Sequence, residues 1–198
     1  MKKLVLASVL MGISSLAMAN SGFYVQGDVG LSKLQLHEKD PDGDDKLKDS
    51  GTSLRVAVGK DMGNVRYALD YTNFGTLKYH ETFAVDDYTA GKAKTQSFGV
   101  SAIYDFQSVS GFTPYAGARV GFNKVKLSVH AVDPLLGQDS WSDSDNAVGF
   151  GALAGVQYAI SPQLALDAGA EYNHLGKFYP EKIKATQYGA KLGVRYNF

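Results

Sequence analysis

Acidic and basic side chains recur on one parity of an alternating pattern: Asp28, Asp70, Asp105, Asp167 and Glu171 against Arg55, Arg66, Arg119, Lys191 and Arg195. Carboxylates beside guanidinium groups support three kinds of chemistry. They act as general acid and base when their proton affinities are pushed apart, they conduct ions when they line an open path, and they neutralise one another when enclosed. Asp167 and Glu171 would be the acid–base pair. Carboxylates that share a face with arginines are more simply read as their salt-bridge partners.

The elements that must hold these residues are strands. In Tyr188-Gly-Ala-Lys-Leu-Gly-Val-Arg-Tyr-Asn-Phe198, the even positions are apolar or aromatic and the odd ones small, polar or charged, which is a strand with one oily and one wet face. The same alternation runs through Phe23–Ser32, Ser53–Gly59, Val65–Thr72, Ser97–Phe106, Tyr115–Phe122, Val148–Tyr158 and Leu164–Asn173, with Ile103 and Tyr115 as apolar interruptions of the wet parity. Glycines such as Gly99, Gly121 and Gly151 share that wet parity and leave room for long charged side chains.

The connections alternate as the residues do. Those near 61–64, 107–112 and 160–163 are short, and those near 33–52, 75–94, 124–146 and 174–183 are long. The expected fold is all-β: an eight-stranded antiparallel up-and-down transmembrane β-barrel with short periplasmic turns and four long extracellular loops. A soluble lipocalin-like barrel would bury its apolar parity inward and show no such asymmetry. Aromatic residues of the apolar parity fall in two sets, Phe23, Tyr67, Tyr104, Phe106, Tyr158, Tyr196 and Phe198 near the short turns and Tyr71, Phe98, Phe122, Phe150, Tyr172 and Tyr188 toward the long connections. Rings favour the two membrane–water interfaces, so two girdles are expected.

The amino terminus fits this placement. Lys2 and Lys3, an apolar run from Leu4 to Leu16 and Ala17-Met18-Ala19 form a secretory leader over residues 1–19, leaving a barrel domain over 20–198. The full chain has no net formal charge and no cysteine, which gives no footprint for nucleic acid and no disulfide framework. The interior of an eight-stranded barrel is just wide enough for side chains to fill, and buried charges persist there only when paired. The charged parity therefore reads as a plugged ion-pair network in the lumen. A narrow ion path whose Arg and Asp residues exchange partners is the functional alternative.

Residues 20–33, Thr113–Phe122 (TPYAGARVGF), Ile160–Gly176 (ISPQLALDAGAEYNHLG) and Lys191–Phe198 (KLGVRYNF) resemble the strands of opacity-type surface proteins, relatives of the membrane domain of outer membrane protein A. The resemblance implies an integral protein of the Gram-negative outer membrane, with both termini periplasmic. It implies a monomer in contact with outer-membrane lipids and lipopolysaccharide. Tyr196 and Phe198 on the closing strand would be the signal read by the barrel-assembly machinery. The loops of such relatives bind host receptors, glycosaminoglycans or complement regulators, so a host surface protein or glycan is the implied partner. Members are commonly labelled porins, which the narrow lumen opposes. No ligand residue carries over.

Read by themselves, the loops offer a few anchors. Asp40, Asp42 and Asp44 invite a calcium reading, but an EF-hand needs Gly and Glu where Asp45 and Gly51 stand, so a solvated turn is expected and no metal. Trp141, near Leu135 and Leu136 and among acids, would anchor a protein partner or fold back on its own loop; Phe178 and Tyr179 pose the same alternative. His37, His80, His130 and His174 lie in or beside the long connections with no serine or acid at a recognisable spacing, so no catalytic or cofactor site is expected. The expected function is surface adhesion or host-factor binding. The alternatives are a small nonspecific porin and an outer-membrane lipid-modifying enzyme.

Overall fold

The computed structural model describes residues 22–40, 43–84, 87–133, 137–178 and 183–198. Eight strands follow one another: β1 Phe23–Asp40, β2 Gly43–Asp61, β3 Val65–Ala84, β4 Asp87–Asp105, β5 Phe112–Asp133, β6 Gly137–Ala159, β7 Leu164–Phe178 and β8 Ile183–Asn197. Each pairs antiparallel with its neighbour in sequence, and β8 pairs with β1 from Tyr24↔Asn197 to Glu38↔Ile183, closing the barrel. Closure leaves no sheet edge in the wall, which is the condition for strands to cross a bilayer.

The side chains divide as the alternation requires. Outward stand Val29, Leu54, Val56, Leu69, Val100, Val120, Leu166, Leu192 and Val194, all exposed. Inward stand Asp28, Arg55, Arg66, Asp70, Arg119, Asp167, Lys191 and Arg195, all buried. On β5 the outward apolar run spans Phe112 to Phe122. At ~3.3 Å per residue and a tilt of ~40°, that is a band about 25 Å tall, the height of a barrel's lipid-facing belt. Both girdles are exposed on this face, Tyr67, Tyr104, Phe106, Tyr158, Tyr196 and Phe198 at the end carrying the termini, and Phe98, Phe122, Phe150 and Tyr172 at the far end.

Tight turns close the end carrying the termini. Asp61 Oδ1 accepts from the Gly63 amide at 2.9 Å, and Ser161 Oγ accepts from the Leu164 amide at 3.0 Å, each holding its hairpin by a local side-chain bond.

At the far end the connections differ from the sequence expectation. Segments expected as long loops continue as paired strand, so that β5 and β6 stay in register up to Asp133↔Gly137 and β1 and β2 up to Asp40↔Gly43. Trp141 lies within β6, its backbone opposite Val129 on β5. Phe178 closes β7 opposite Ile183. The leader over residues 1–19 lies outside the described residues, as do Asp42, Leu135, Leu136 and Tyr179.

The reason the extensions do not read as barrel strands is that their chemistry inverts. Past the far girdle the inward positions become apolar: Leu34, Phe74, Ala93, Val125, Leu175 and Ala185 form one buried cluster, with Ala147 packed against it. The outward positions Lys33, Lys92, Lys94, Lys124 and Lys126 are exposed. Water now bathes the outer wall, so the apolar face turns in.

Two bulges complete this layer. The register of β3 on β4 slips between Asn73 and Gly75, and that of β7 on β8 between His174 and Gly176. The extra residues, Phe74 and Leu175, are each 1% exposed. The glycines after them have φ of 100° and 107°, a backbone that a side chain would strain. At the same level two ladders end: β2 pairs with β3 only from Asp61↔Arg66 to Leu54↔Asn73, and β6 with β7 only from Ala159↔Ala165 to Phe150↔His174. Beyond these seams the described strands form two four-stranded sheets, β7-β8-β1-β2 and β3-β4-β5-β6.

Candidate functional site

The lumen is built in layers, beginning at the mouth beside the termini. A vestibule of about 650 Å³ opens there, with Asp61, Asp105, Gln157, Arg195 and Asn197 on its walls. Two ion pairs stand at its floor. Arg66 binds Asp105 through two parallel bonds, Nε to Oδ2 at 2.5 Å and Nη2 to Oδ1 at 2.7 Å, and Arg195 binds Asp61 at 2.5 Å. The Tyr24 ring lies between these arginines, 4.4 Å from the Arg195 guanidinium carbon and 5.8 Å from that of Arg66. Planar guanidinium groups suit this combined forked and stacked contact, which an ammonium could not make.

The second layer mixes apolar and ionic contacts. Ile103, Tyr115 and Leu153, the first two of which interrupt the wet parity, pack against one another across β4, β5 and β6. The Tyr115 hydroxyl donates to Asp167 Oδ1 at 3.0 Å, and Lys191 Nζ stands 3.3 Å from Asp28 and 3.8 Å from Asp167. A cavity of about 10 Å³ remains beside Tyr24, Arg55, Tyr115 and Lys191. That is room for a single water.

Asp70 is the centre of the third layer, its side chain fully enclosed. It accepts from Arg119 Nη2 at 2.7 Å, from Arg55 Nη2 at 3.3 Å and from the Thr72 hydroxyl at 2.8 Å. Arg119 also donates to Ser97 at 3.0 Å. The long Arg119 side chain lies across Gly99 and Gly121, where a methyl group at Gly121 would come within 2.6 Å of Nη1. A carboxylate shared by two arginines is held by more than one counter-charge, the arrangement an enclosed ion needs. Above it, Asn123 donates to the Leu175 carbonyl at 2.7 Å and Asn173 to Gln187 at 2.6 Å, beneath the apolar cluster around Phe74 and Leu175.

The structure thus brings Asp28, Arg55, Arg66, Asp70, Asp105, Arg119, Asp167, Lys191 and Arg195 into direct ion pairs. Glu171 differs from its expected place in that network. It accepts from Gln187 at 3.1 Å, because amides and not bases stand at its level of the lumen. Asp61, read from sequence as a turn residue, is the missed member. Its one signal is that it ends a strand on the same inward parity as Arg55. No residue of this network is paired as an acid and base across an open cleft; each carboxylate faces the fork or ammonium of a cation, which suits neutralisation.

A model of the family described as "Opacity family porin protein" matches residues 58–198. Protein opa of Haemophilus influenzae is 38% identical over 141 residues, covering 71% of this chain and all of that protein. Opacity protein opA60 of Neisseria gonorrhoeae is 31% identical, covering 73% of this chain and 77% of the relative. Among solved structures, Neisserial surface protein A (NspA) is 32% identical, covers 90% of this chain and 98% of its own, and superposes with a TM-score of 0.61. A closed eight-stranded barrel with an apolar belt and an ion-paired lumen, matched by this family over most of its length, belongs to the opacity family of outer-membrane β-barrel proteins.

Proposed function

We propose that the barrel is a monomeric scaffold with a closed lumen, and that its function is surface interaction through the hairpins of the far end, which face outward while both termini face the periplasm. The observation that carries this reading is the stacked obstruction of the lumen, from the Arg66 and Arg195 floor through the Asp70 layer to the apolar cluster. A wall filled in this way spans the membrane without passing solutes, and the part left to meet other molecules is the paired strand beyond the belt. Closing strand β8, with Tyr196 near its end and Phe198 directly after it, then serves the barrel-assembly machinery. The far hairpins, whose strands include Trp141 and Phe178, are the surface offered to a host protein or glycan.

The test is electrical. Full-length chain, extracted and shown folded by its heat-dependent electrophoretic mobility, is inserted in planar bilayers beside Arg119→Ala. Silent bilayers for the wild type are expected. Reproducible channels altered by the substitution establish instead the second reading, a small pore, which is favoured by the vestibule and by the sharing of Asp70 between two arginines. An enzyme acting on lipid finds no support in the described residues, and release of acyl chains from outer-membrane lipid would overturn that assignment.

A further inference from the structure

The two seams of the far end are not alike. At the first, both strands run on past their last pairing, β2 to Gly43 and β3 to Ala84. At the second, β7 ends at Phe178, soon after its last partner residue His174, whereas β6 continues from Phe150 to Gly137. The two strands still touch at Gly176, where an added methyl group would lie 2.7 Å from Ala147 Cβ. From Asn146 to Gly137, among the described residues, no strand pairs with β6 on that side.

Register says which backbone groups the open side presents. The Ala159 amide donates to Gly111, beside β5, and the Ile160 amide to Leu164 on β7. The register of β5 on β6 is unbroken from Phe112↔Tyr158 to Asp133↔Gly137, so odd residues of β6 bond β5 and even ones point their N–H and C=O groups the other way. Gln138, Ser140, Ser142, Ser144 and Asn146 therefore turn their backbone donors and acceptors toward the open side. Two of these amides are held from within the strand. Ser144 N–H donates to Asp143 Oδ1 at 2.8 Å, and Asn146 N–H donates to Asp145 Oδ1 at 2.7 Å. No proline or lysine stands between Gln138 and Asn146 to block pairing. An incoming strand must take over these amides with its own carbonyls and offer the displaced carboxylates a counter-charge.

We infer that the open side of β6, from Gln138 to Asn146, takes as an added strand an extended segment of a partner protein that carries Lys or Arg at alternate positions. Its carbonyls replace Asp143 and Asp145 as acceptors for the Ser144 and Asn146 amides. Its basic side chains fall opposite those two carboxylates, in the pairs that stand closest across an antiparallel ladder. Asp143 is exposed and Asp145 half-buried, so both reach such a partner. A neutral or acidic segment would displace the carboxylates without neutralising them. The inference deepens the surface-interaction reading above and rests on its outward placement of the far end.

The test uses full-length chain in detergent and fluorescent peptides matched in length to residues 137–146. One alternates lysine with threonine, the second is the same sequence with its threonine nitrogens methylated, and the third alternates glutamine with threonine. The first is expected to bind at least about tenfold more tightly than either control by anisotropy, backbone bonds and charge pairs both being at stake. Ser142→Pro with Ser144→Pro removes amides of the open side, leaves the β5 ladder whole and should abolish the preference over the methylated peptide. Asp143→Asn with Asp145→Asn should abolish the preference for lysine over glutamine and leave the neutral peptide bound as before. Equal binding of the methylated peptide, or unchanged binding by the folded proline variant, overturns the added strand. A lysine preference kept by the Asn variant overturns the charge match. Self-association of the chain that the proline variant loses would make a second copy the occupant and overturn the foreign segment. A tag inserted between residues 85 and 86 and probed on intact cells separates the two readings. A tag reached only after permeabilisation overturns the outward placement, whereas an accessible tag with no peptide binding overturns the β6 site alone.

Discussion

Two stretches of the same strand, residues 115–122 and 123–127 of β5, face the same two sides of one wall with opposite chemistry. In the first, Arg119 is enclosed among ions while Val120 and Phe122 lie exposed on the outer face. In the second, Val125 is buried in an apolar cluster while Lys124 and Lys126 face outward. Backbone geometry is continuous across the change. What changes is the surroundings of the wall, and the lesson is that a strand's alternation fixes which residues share a face while the solvent decides which face is oily.

The largest test of this contrast is to uncharge the lower half. Asp70→Ala leaves Arg55 and Arg119 enclosed without their shared carboxylate, and is expected to destabilise the barrel by about 3–5 kcal/mol in denaturant unfolding from lipid vesicles. A loss below about 1 kcal/mol would mean that water reaches the layer and that the lumen is open.

A smaller effect comes from placing one charge on each part of the outer wall. Ala118→Arg, in the middle of the belt on β5, is expected to cost about 2–4 kcal/mol. Asn146→Arg, on the outer face beyond the belt, should change unfolding by no more than about 0.5 kcal/mol. Equal costs at the two positions would erase the boundary drawn between them.

Leucine truncations sharpen the comparison further. Leu175→Ala opens a void in the far-end cluster and should cost about 2–5 kcal/mol. Leu192→Ala, on the belt, loses transfer energy alone, because lipid chains fill the space. The expected difference between them is roughly 1–2 kcal/mol, read from paired unfolding curves.

The smallest effect is backbone strain. Gly75→Ala places a methyl group at a φ of 100° and 3.1 Å from the Thr52 carbonyl, and is expected to cost about 1–2 kcal/mol. Gly27→Ala, where nothing lies within 4 Å, is the matched control with little change.

Much of the lower half was legible in the sequence because lipid demands an uninterrupted apolar parity, and that parity names the inward residues by elimination. Ile103 and Tyr115, which break it, turn out to pack on Leu153, so apparent errors in the pattern mark a second kind of contact inside the barrel. The far end was not legible. Lys33 and Leu34 reverse the expected polarity, and Phe74 and Leu175 each insert one residue that resets the count, so paired strand reads as loop. Asp61 was hidden for another reason: its partner Arg195 lies 134 positions away, and turn chemistry accounts for it locally.

Three of the ion pairs join strands that are distant in the chain: Asp28 of β1 to Lys191 of β8, Asp70 of β3 to Arg119 of β5, and Asp61 of β2 to Arg195 of β8. Arg55 with Asp70, Arg66 with Asp105 and Asp167 with Lys191 are paired within single hairpins, but Asp28, Asp61, Arg119 and Arg195 find their partners on remote strands, so a hairpin carrying one of them into the bilayer alone would bring an unpaired charge with it, at a cost of several kcal/mol. Insertion strand by strand is therefore costly for the strands that carry these four residues. The wall must curl and seal its charges inward as it enters, so that crossing the membrane and completing the barrel are one kinetic event.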